Sequence, residues 1–171
     1  MFHYYQPTKI HFGAGQLSEL GHVCKSYGKT CFLVTTPDAP LQPLYERVKK
    51  LLDAEGIRVI HFDRVEPNPS VEIVEQGFAM LKEQPADFVL AVGGGSSIDT
   101  AKAIAFANGK DSIDWDYLFN EYNSPFAYYA SYSKEHLPLL SVPTTSGTGS
   151  QVTQAAVITR GKEKITFFHP D

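Results

Sequence analysis

Four things are scarce in this chain, and each scarcity closes off a class of function. Cysteine occurs only at Cys24 and Cys31, without a CxxC spacing. That is neither a disulfide framework nor a thiol redox motif; it reads as two core thiols in a reducing cytoplasm. Positive charge is not in excess. The formal net charge is -4, so the basic footprint of a nucleic-acid partner is missing. No apolar run approaches the roughly 20 residues of a membrane-spanning helix. The start, MFHYYQPTKIHF, has one Lys and no long apolar stretch, so it does not read as a secretory signal. Histidines stand at His3, His11, His22, His61, His136 and His169, never as H-x-x-x-H or another helical ligand pair. No metal site is therefore predicted. His169 and Asp171, on either side of a proline, read as tail.

What the chain does contain is alternation. At 171 residues and 43% hydrophobic content it can bury a core of one domain or slightly more. Strand-like runs at Lys29–Thr36, Ile57–Phe62, Phe88–Val92 and Leu139–Val142 are separated by helical periodicities. One helix is carried by Leu17, Leu20, Cys24 and Tyr27 and closed by Gly28. The next is carried by Leu44, Val48, Leu51 and Leu52 and closed by Gly56. A third, capped by Ser70, follows Val71, Val74, Phe78 and Leu81, and a fourth follows Ile98, Ala101 and Ala105 to Asn108-Gly109. Alternation of this kind predicts βαβ units: an α/β, Rossmann-like, doubly wound and mainly parallel sheet. Residues 1–150 read as a dinucleotide-binding domain. Residues 151–171 read as a hairpin-like tail of two extended segments joined by a polar turn at 160–163. The aperiodic segment 111–136 is dense in aromatic residues, which either pack on the sheet edge or form a contact surface.

Two glycine-rich turns follow strand-like runs: GGGSSIDTAK at Gly93–Lys102 and PTTSGTGSQVTQ at Pro143–Gln154. Gly93, Gly94 and Gly95 carry no side chains to hold a phosphate away from backbone amides. A helix opening near Ser96 adds free N–H groups and the positive end of its dipole. Ser96 and Asp99 have capping-box spacing, so Asp99 is read either as a cap or as a ligand contact. Lys102 reads as a solvated lysine. In the second turn, Thr144, Thr145, Thr148 and their neighbours supply hydroxyls that suit a phosphate or a ribose.

Both turns resemble the signature turns of the iron-containing (group III) alcohol dehydrogenases. PTKIHFGAG at Pro7–Gly15 resembles that family's opening strand and turn, and VEPNPSVE at Val65–Glu72 its loop after the second nucleotide-side strand. The resemblance runs in order through the chain and corresponds to about the first half of a family member. It implies an N-terminal nucleotide-binding domain followed by an all-helical domain. It also implies hydride transfer between NAD(P)(H) and a small alcohol or aldehyde, with Fe2+ or Zn2+ as Lewis acid. By resemblance Gly94, Gly95, Ser96, Thr144, Thr145 and Thr148 contact the cofactor, and Asn68 and Lys164 lie near its nicotinamide and ribose. The family's metal ligands, one Asp and three His, belong to the helical domain. The metal is thus expected only in a full-length member, and this chain alone is expected to be inactive. A bare apolar face is expected to drive homo-oligomerisation.

Two departures bear on cofactor and substrate. NAD users of the family place an Asp within VTD after the first long strand, where it bonds the adenosine ribose and repels a 2′-phosphate. Here Thr36 stands in that place, which leans the reading to NADP(H), although Asp38 lies close enough to restore discrimination. Gln151 replaces a usual Glu and indicates a divergent branch. Two alternatives stand beside the dehydrogenase: a non-catalytic nucleotide-binding module, and a relative of glycerol dehydrogenase or dehydroquinate synthase, with which the GGG turn and following Asp are shared. PTTSGTGS favours the alcohol dehydrogenase branch.

Overall fold

A computed structural model describes residues 7–169; His3, Asp171 and the start MFHYYQ lie outside the described residues. A four-stranded sheet is formed by β1 (Thr30–Val34), β2 (Arg58–Phe62), β3 (Phe88–Gly93) and β4 (Leu139–Pro143). All its pairings are parallel, in the order β2-β1-β3-β4. Strand order reverses between β1 and β3, so the crevice beyond Val34 and Gly93 is the place where such sheets bind ligands.

Each strand's two-residue period sorts its side chains between two cores. Phe32, Val34, Val89 and Ala91 face α3 (Val71–Glu83) and α4 (Gly95–Ala107). Cys31, Leu33, Leu90 and Val92 face α2 (Gln42–Asp53) and the short α1 (Leu20–Cys24), meeting Tyr45, Val48 and Leu52. β3 is buried along its whole length, as a central parallel strand must be. Both cysteines are fully buried. Burial pushes the Cys24 thiol up to about 12 and holds Cys31 higher still.

Local chemistry sets the ends. Ser70 Oγ accepts from Ile73 N at 3.4 Å and caps α3. Where the chain enters β1, Asp87 Oδ2 accepts from Lys29 N at 2.7 Å and Thr30 N at 2.8 Å. Gly28, with φ +151°, fits under that carboxylate, since a Cβ there would stand 2.2 Å from Asp87 Cβ. The two extended segments form the antiparallel hairpin β5 (Ala155–Arg160) and β6 (Glu163–Phe168). Gly161 sits at its turn with φ +62°.

Four expectations are corrected. The opening strand that the resemblance implies within Pro7–Gly15 is not formed among the described residues: this segment is assigned to no strand there, and Ile10 and Phe12 are 61% and 95% exposed. Among the described residues it has no neighbouring ladder, without which a strand has no partner for its backbone. The first helix stops at Cys24, short of Tyr27. The segment 111–136 contains a helix, α5 (Trp115–Glu121), capped by Asp114 Oδ1 accepting from Tyr117 N at 2.9 Å. Its rings largely pack inward: Trp115, Phe119, Tyr122 and Tyr132 are buried, while Phe126 and Tyr128 at the tip are exposed. Trp115 Nε1 donates to Glu75 Oε1 at 2.9 Å, and its ring lies 5.4 Å from that of Phe119. Finally, His169 is no tail residue: its ring sits 4.8 Å from Phe106 within the aromatic cluster, and it is buried.

Candidate nucleotide-binding site

β3 runs directly into Gly93, and α4 begins two residues later. Its N-cap is Gly94, with no side-chain cap and no acidic residue in the first turn. The first bond of the helix joins Ile98 N to Gly94 O at 3.2 Å. The amides of Gly95, Ser96 and Ser97 therefore precede the ladder, at the positive end of the dipole.

The three glycines are there for close approach. A Cβ on Gly93, whose φ is +156°, would stand 2.3 Å from Ser97 Oγ. Built on Gly94 it would stand 3.0 Å from Thr145 Oγ1; on Gly95, 3.2 Å from Ser150 Oγ and 3.5 Å from Thr148 Cβ. Thr144 N donates to Gly93 O at 2.9 Å. The two turns, some fifty residues apart in sequence, thus meet across the gap that only glycine leaves open. A groove of about 1080 Å³ lies beside this meeting point, along β4; Ser150 and Gln151 line it, while Gly94 and Ser96 do not.

The other strand ends contribute too. Thr36 Oγ1 donates to Asp38 Oδ2 at 2.7 Å and lies 2.9 Å from Tyr45 Oη. One hydroxyl has one proton, so Thr36 gives it to Asp38 and accepts from Tyr45. Behind it, Thr35 Oγ1 and His61 Nε2 are 2.8 Å apart, and burial lowers the His61 pKa. Beyond β2, Asn68 is the one described non-glycine residue with positive φ, +57°. Its N–H donates to Ser96 Oγ at 3.3 Å and its carbonyl accepts from Thr159 Oγ1 at 3.2 Å. Asx residues tolerate this left-handed conformation at modest cost. Lys164 is exposed and sits opposite Thr159 in the hairpin.

Asp99 and Lys102 are not where the sequence placed them. The helix starts at Gly95, so Ser96 and Asp99 form no capping box. Asp99 Oδ2 instead accepts from Val157 N at 3.1 Å. Burial raises its carboxyl above the usual range, against the opposing pull of Val157 N–H, Lys102 and Ser150. Lys102 is not solvated: Nζ donates to Thr153 O at 2.8 Å and Ala155 O at 2.6 Å. Burial lowers it to about 8, with Asp99 pulling the other way. Tyr45 and Thr159 were invisible in sequence. Tyr45 is not among the positions Leu44, Val48, Leu51 and Leu52 that mark α2 in the sequence, and Thr159 lies ninety-one residues from its partner Asn68.

Residues 7–171 match the profile of one family, described as iron-containing alcohol dehydrogenase. The chain belongs to the iron-containing alcohol dehydrogenase family. It is 38% identical over 164 residues to the probable NADH-dependent butanol dehydrogenase 1 of Bacillus subtilis, covering 95% of this chain and 40% of that protein. It is 35% identical over 173 residues to the NADH-dependent butanol dehydrogenase B of Clostridium acetobutylicum, covering 99% and 42%. Among solved structures, the NADH-dependent butanol dehydrogenase A of Thermotoga maritima superposes with a TM-score of 0.85 at 28% identity, over 99% of this chain and 42% of that one. The sulfoacetaldehyde reductase of Bifidobacterium kashiwanohense, solved with NAD+, does so with 0.81 at 30%, over 99% and 43%. This member of the iron-containing alcohol dehydrogenases therefore spans about two fifths of the length of the relatives it matches.

The family's name implies a metal. Among the described residues no three His, Cys, Asp or Glu side chains converge. His61 is engaged by Thr35, and His136 Nδ1 lies 3.0 Å from Ser133 O. These residues do not fit a metal ion. The bare amides, the close-set glycines and the hydroxyls of the second turn fit a nucleotide.

Proposed function

We propose that this chain is the NAD(H)-binding part of a dehydrogenase that interconverts a small alcohol and its aldehyde. The observation that carries the proposal is the convergence of two glycine-rich turns on the uncapped N-terminus of α4. Gly94, Gly95 and Ser96 offer amides to the pyrophosphate, and Thr144, Thr145 and Thr148 add neutral donors. Asn68, held on Ser96, and Lys164 flank the nicotinamide side. When bound, the cofactor supplies the hydride acceptor or donor.

The contact of Thr36 with Asp38 supports reading the cofactor as NADH rather than keeping the NADP(H) lean of the sequence. Thr36 hands its proton to Asp38, which sets a carboxylate at the end of β1, where the adenosine ribose belongs. The relatives named NADH-dependent are consistent with that choice. Asp99 becomes a support of the site rather than a contact.

With no metal cradle among the described residues, the chain by itself binds nucleotide and does not turn over alcohol. Exposed Ile10, Phe12, Phe126 and Tyr128 supply the apolar surface on which its self-association would rest; light scattering that finds a monomer at high concentration removes that part. The central test is fluorescence titration with NADH, wild type against Gly95→Ala. Gly95 has no positive φ, so alanine suits the helix, yet its methyl enters the gap between the turns. Expected are a urea-unfolding free energy within about 1 kcal/mol of wild type, because helix propensity and the tight contact with Ser150 oppose each other, and a Kd at least tenfold weaker. Equal affinity in the two proteins refutes the site.

A further inference from the structure

β5 has two edges. One pairs with β6. On the other, the backbone groups of alternate residues turn away from the hairpin, and a buried strand edge left unpaired is costly. Three groups on that edge and its approach are satisfied by side chains of one helix. Lys102 Nζ donates to Thr153 O and Ala155 O, and Asp99 Oδ2 accepts from Val157 N. The next outward amide, Thr159 N, donates to Pro69 O at 2.8 Å.

The order of polarity matches. Along the strand come two carbonyls and then an N–H. On α4, one turn apart on the same face, stand an ammonium that only donates and a carboxylate that accepts. No backbone ladder joins α4 to β5; this pair of side chains takes its place.

The consequence reaches the site, because α4 is the helix whose N-terminus the two turns share. The upstream end of the second turn is fixed by the pairing of Gly93 with Pro143 and by Thr144 N on Gly93 O. Its downstream end, through the short helical turn Ser150–Val152, is fixed at Thr153 and Ala155 by Lys102. Two residues beyond Val157, Thr159 holds Asn68 through Oγ1. β5 thus links the second turn to the Asn68 loop, and Asp99 and Lys102 tie that link back to the helix.

We propose that Asp99 and Lys102 are positioning residues: by zipping the free edge of β5 to α4 they fix the spacing of the two glycine-rich turns and of Asn68 around the nucleotide. The effect on affinity rests on the nucleotide reading above; the effect on the turn itself does not.

The test compares wild type, Lys102→Met, Lys102→Gln and Lys102→Arg in two measurements. Amide hydrogen exchange without nucleotide is expected to speed up across Thr144–Ala155 in Lys102→Met, with β1 and β3 unchanged, and to return toward wild type in Lys102→Arg. NADH titration is expected to show about a tenfold weaker Kd in Lys102→Met, largely recovered in Lys102→Arg. If Lys102→Met does not fold, Lys102→Gln, which keeps a donor nitrogen without the charge, is expected to give the same pattern at smaller amplitude. Unchanged exchange in a folded Met or Gln variant overturns the inference, as does an unchanged Kd where wild type binds NADH. A wild type that binds no NADH, with exchange altered as expected, sinks the nucleotide reading and leaves the zipper standing.

Discussion

The pair Thr36 and Asp38 makes a quantitative claim about cofactor choice, tested by Asp38→Asn. The amide keeps the shape of the carboxylate and can still accept the Thr36 proton now held at 2.7 Å, so the turn after β1 survives and the charge alone is lost. A 2′-phosphate carries about −1.5 to −2 charges at neutral pH. Taking ~5 Å between it and the carboxylate, and an effective dielectric of ~60 for this exposed turn, Coulomb's law gives roughly 2 kcal/mol of repulsion. Salt at ~0.15 M, with a Debye length of ~8 Å, cuts that to about 1 kcal/mol. NADPH should therefore bind about fivefold tighter to Asp38→Asn than to wild type in physiological salt, and the gain should grow at low ionic strength. NADH should bind a few-fold more weakly, because an amide is a poorer acceptor for ribose hydroxyls. Calorimetric titration of both cofactors at two salt concentrations reads all four numbers. A wild type that prefers NADPH, or an NADPH affinity indifferent to the substitution at both salts, would refute the reasoning.

Further outcomes follow from the same geometry. Gly28→Ala should lower the urea-unfolding free energy by at least ~2 kcal/mol, since positive φ and a Cβ in collision with Asp87 act together; a smaller loss means that Asp87 moves aside freely. Lys102 gives up its proton at about 8 in the folded chain but only near ~10.4 when unfolded. Between those values the unfolded state binds the extra proton, so stability should rise with pH there, by up to about 1 kcal/mol per unit. The difference in urea midpoint between wild type and Lys102→Met, followed from pH 7.5 to 10, isolates this slope from other titrating groups; a flat difference contradicts it. Cys24 and Cys31 should resist a thiol reagent at pH 8 until the chain unfolds, because both are fully buried and their thiolates disfavoured; fast labelling of the native chain would show that the α1–α2 side of the core opens readily.

The sequence disclosed what depends on local periodicity. The runs at 57–62 and 88–92 fall within a residue or so of β2 and β3, and Ser70 caps α3 as its spacing implies, because a buried parallel strand and an N-cap are written in neighbouring residues. Gly94 and Gly95 were legible as a turn for the same reason. What was illegible is long-range. Asp99 has the spacing of a cap, but the helix begins one residue before Ser96, and the carboxylate finds Val157 instead, fifty-eight positions on. Lys102 looks like a surface lysine until β5 folds over it. The strand that resemblance implies within Pro7–Gly15 finds no ladder to join among the described residues. The helix at Trp115 was hidden although its buried Trp115, Leu118, Phe119 and Tyr122 stand at helical spacing, because one short stripe is masked by the aromatics on either side of it; Asp114 marked its start.

The solitary tryptophan of this chain is tethered to α3 through Glu75 and shielded to 7% exposure. Its intrinsic emission therefore reports the seating of α5 against α3. A red shift in denaturant would time the release of that helix, while the coenzyme's own fluorescence times the loss of the site.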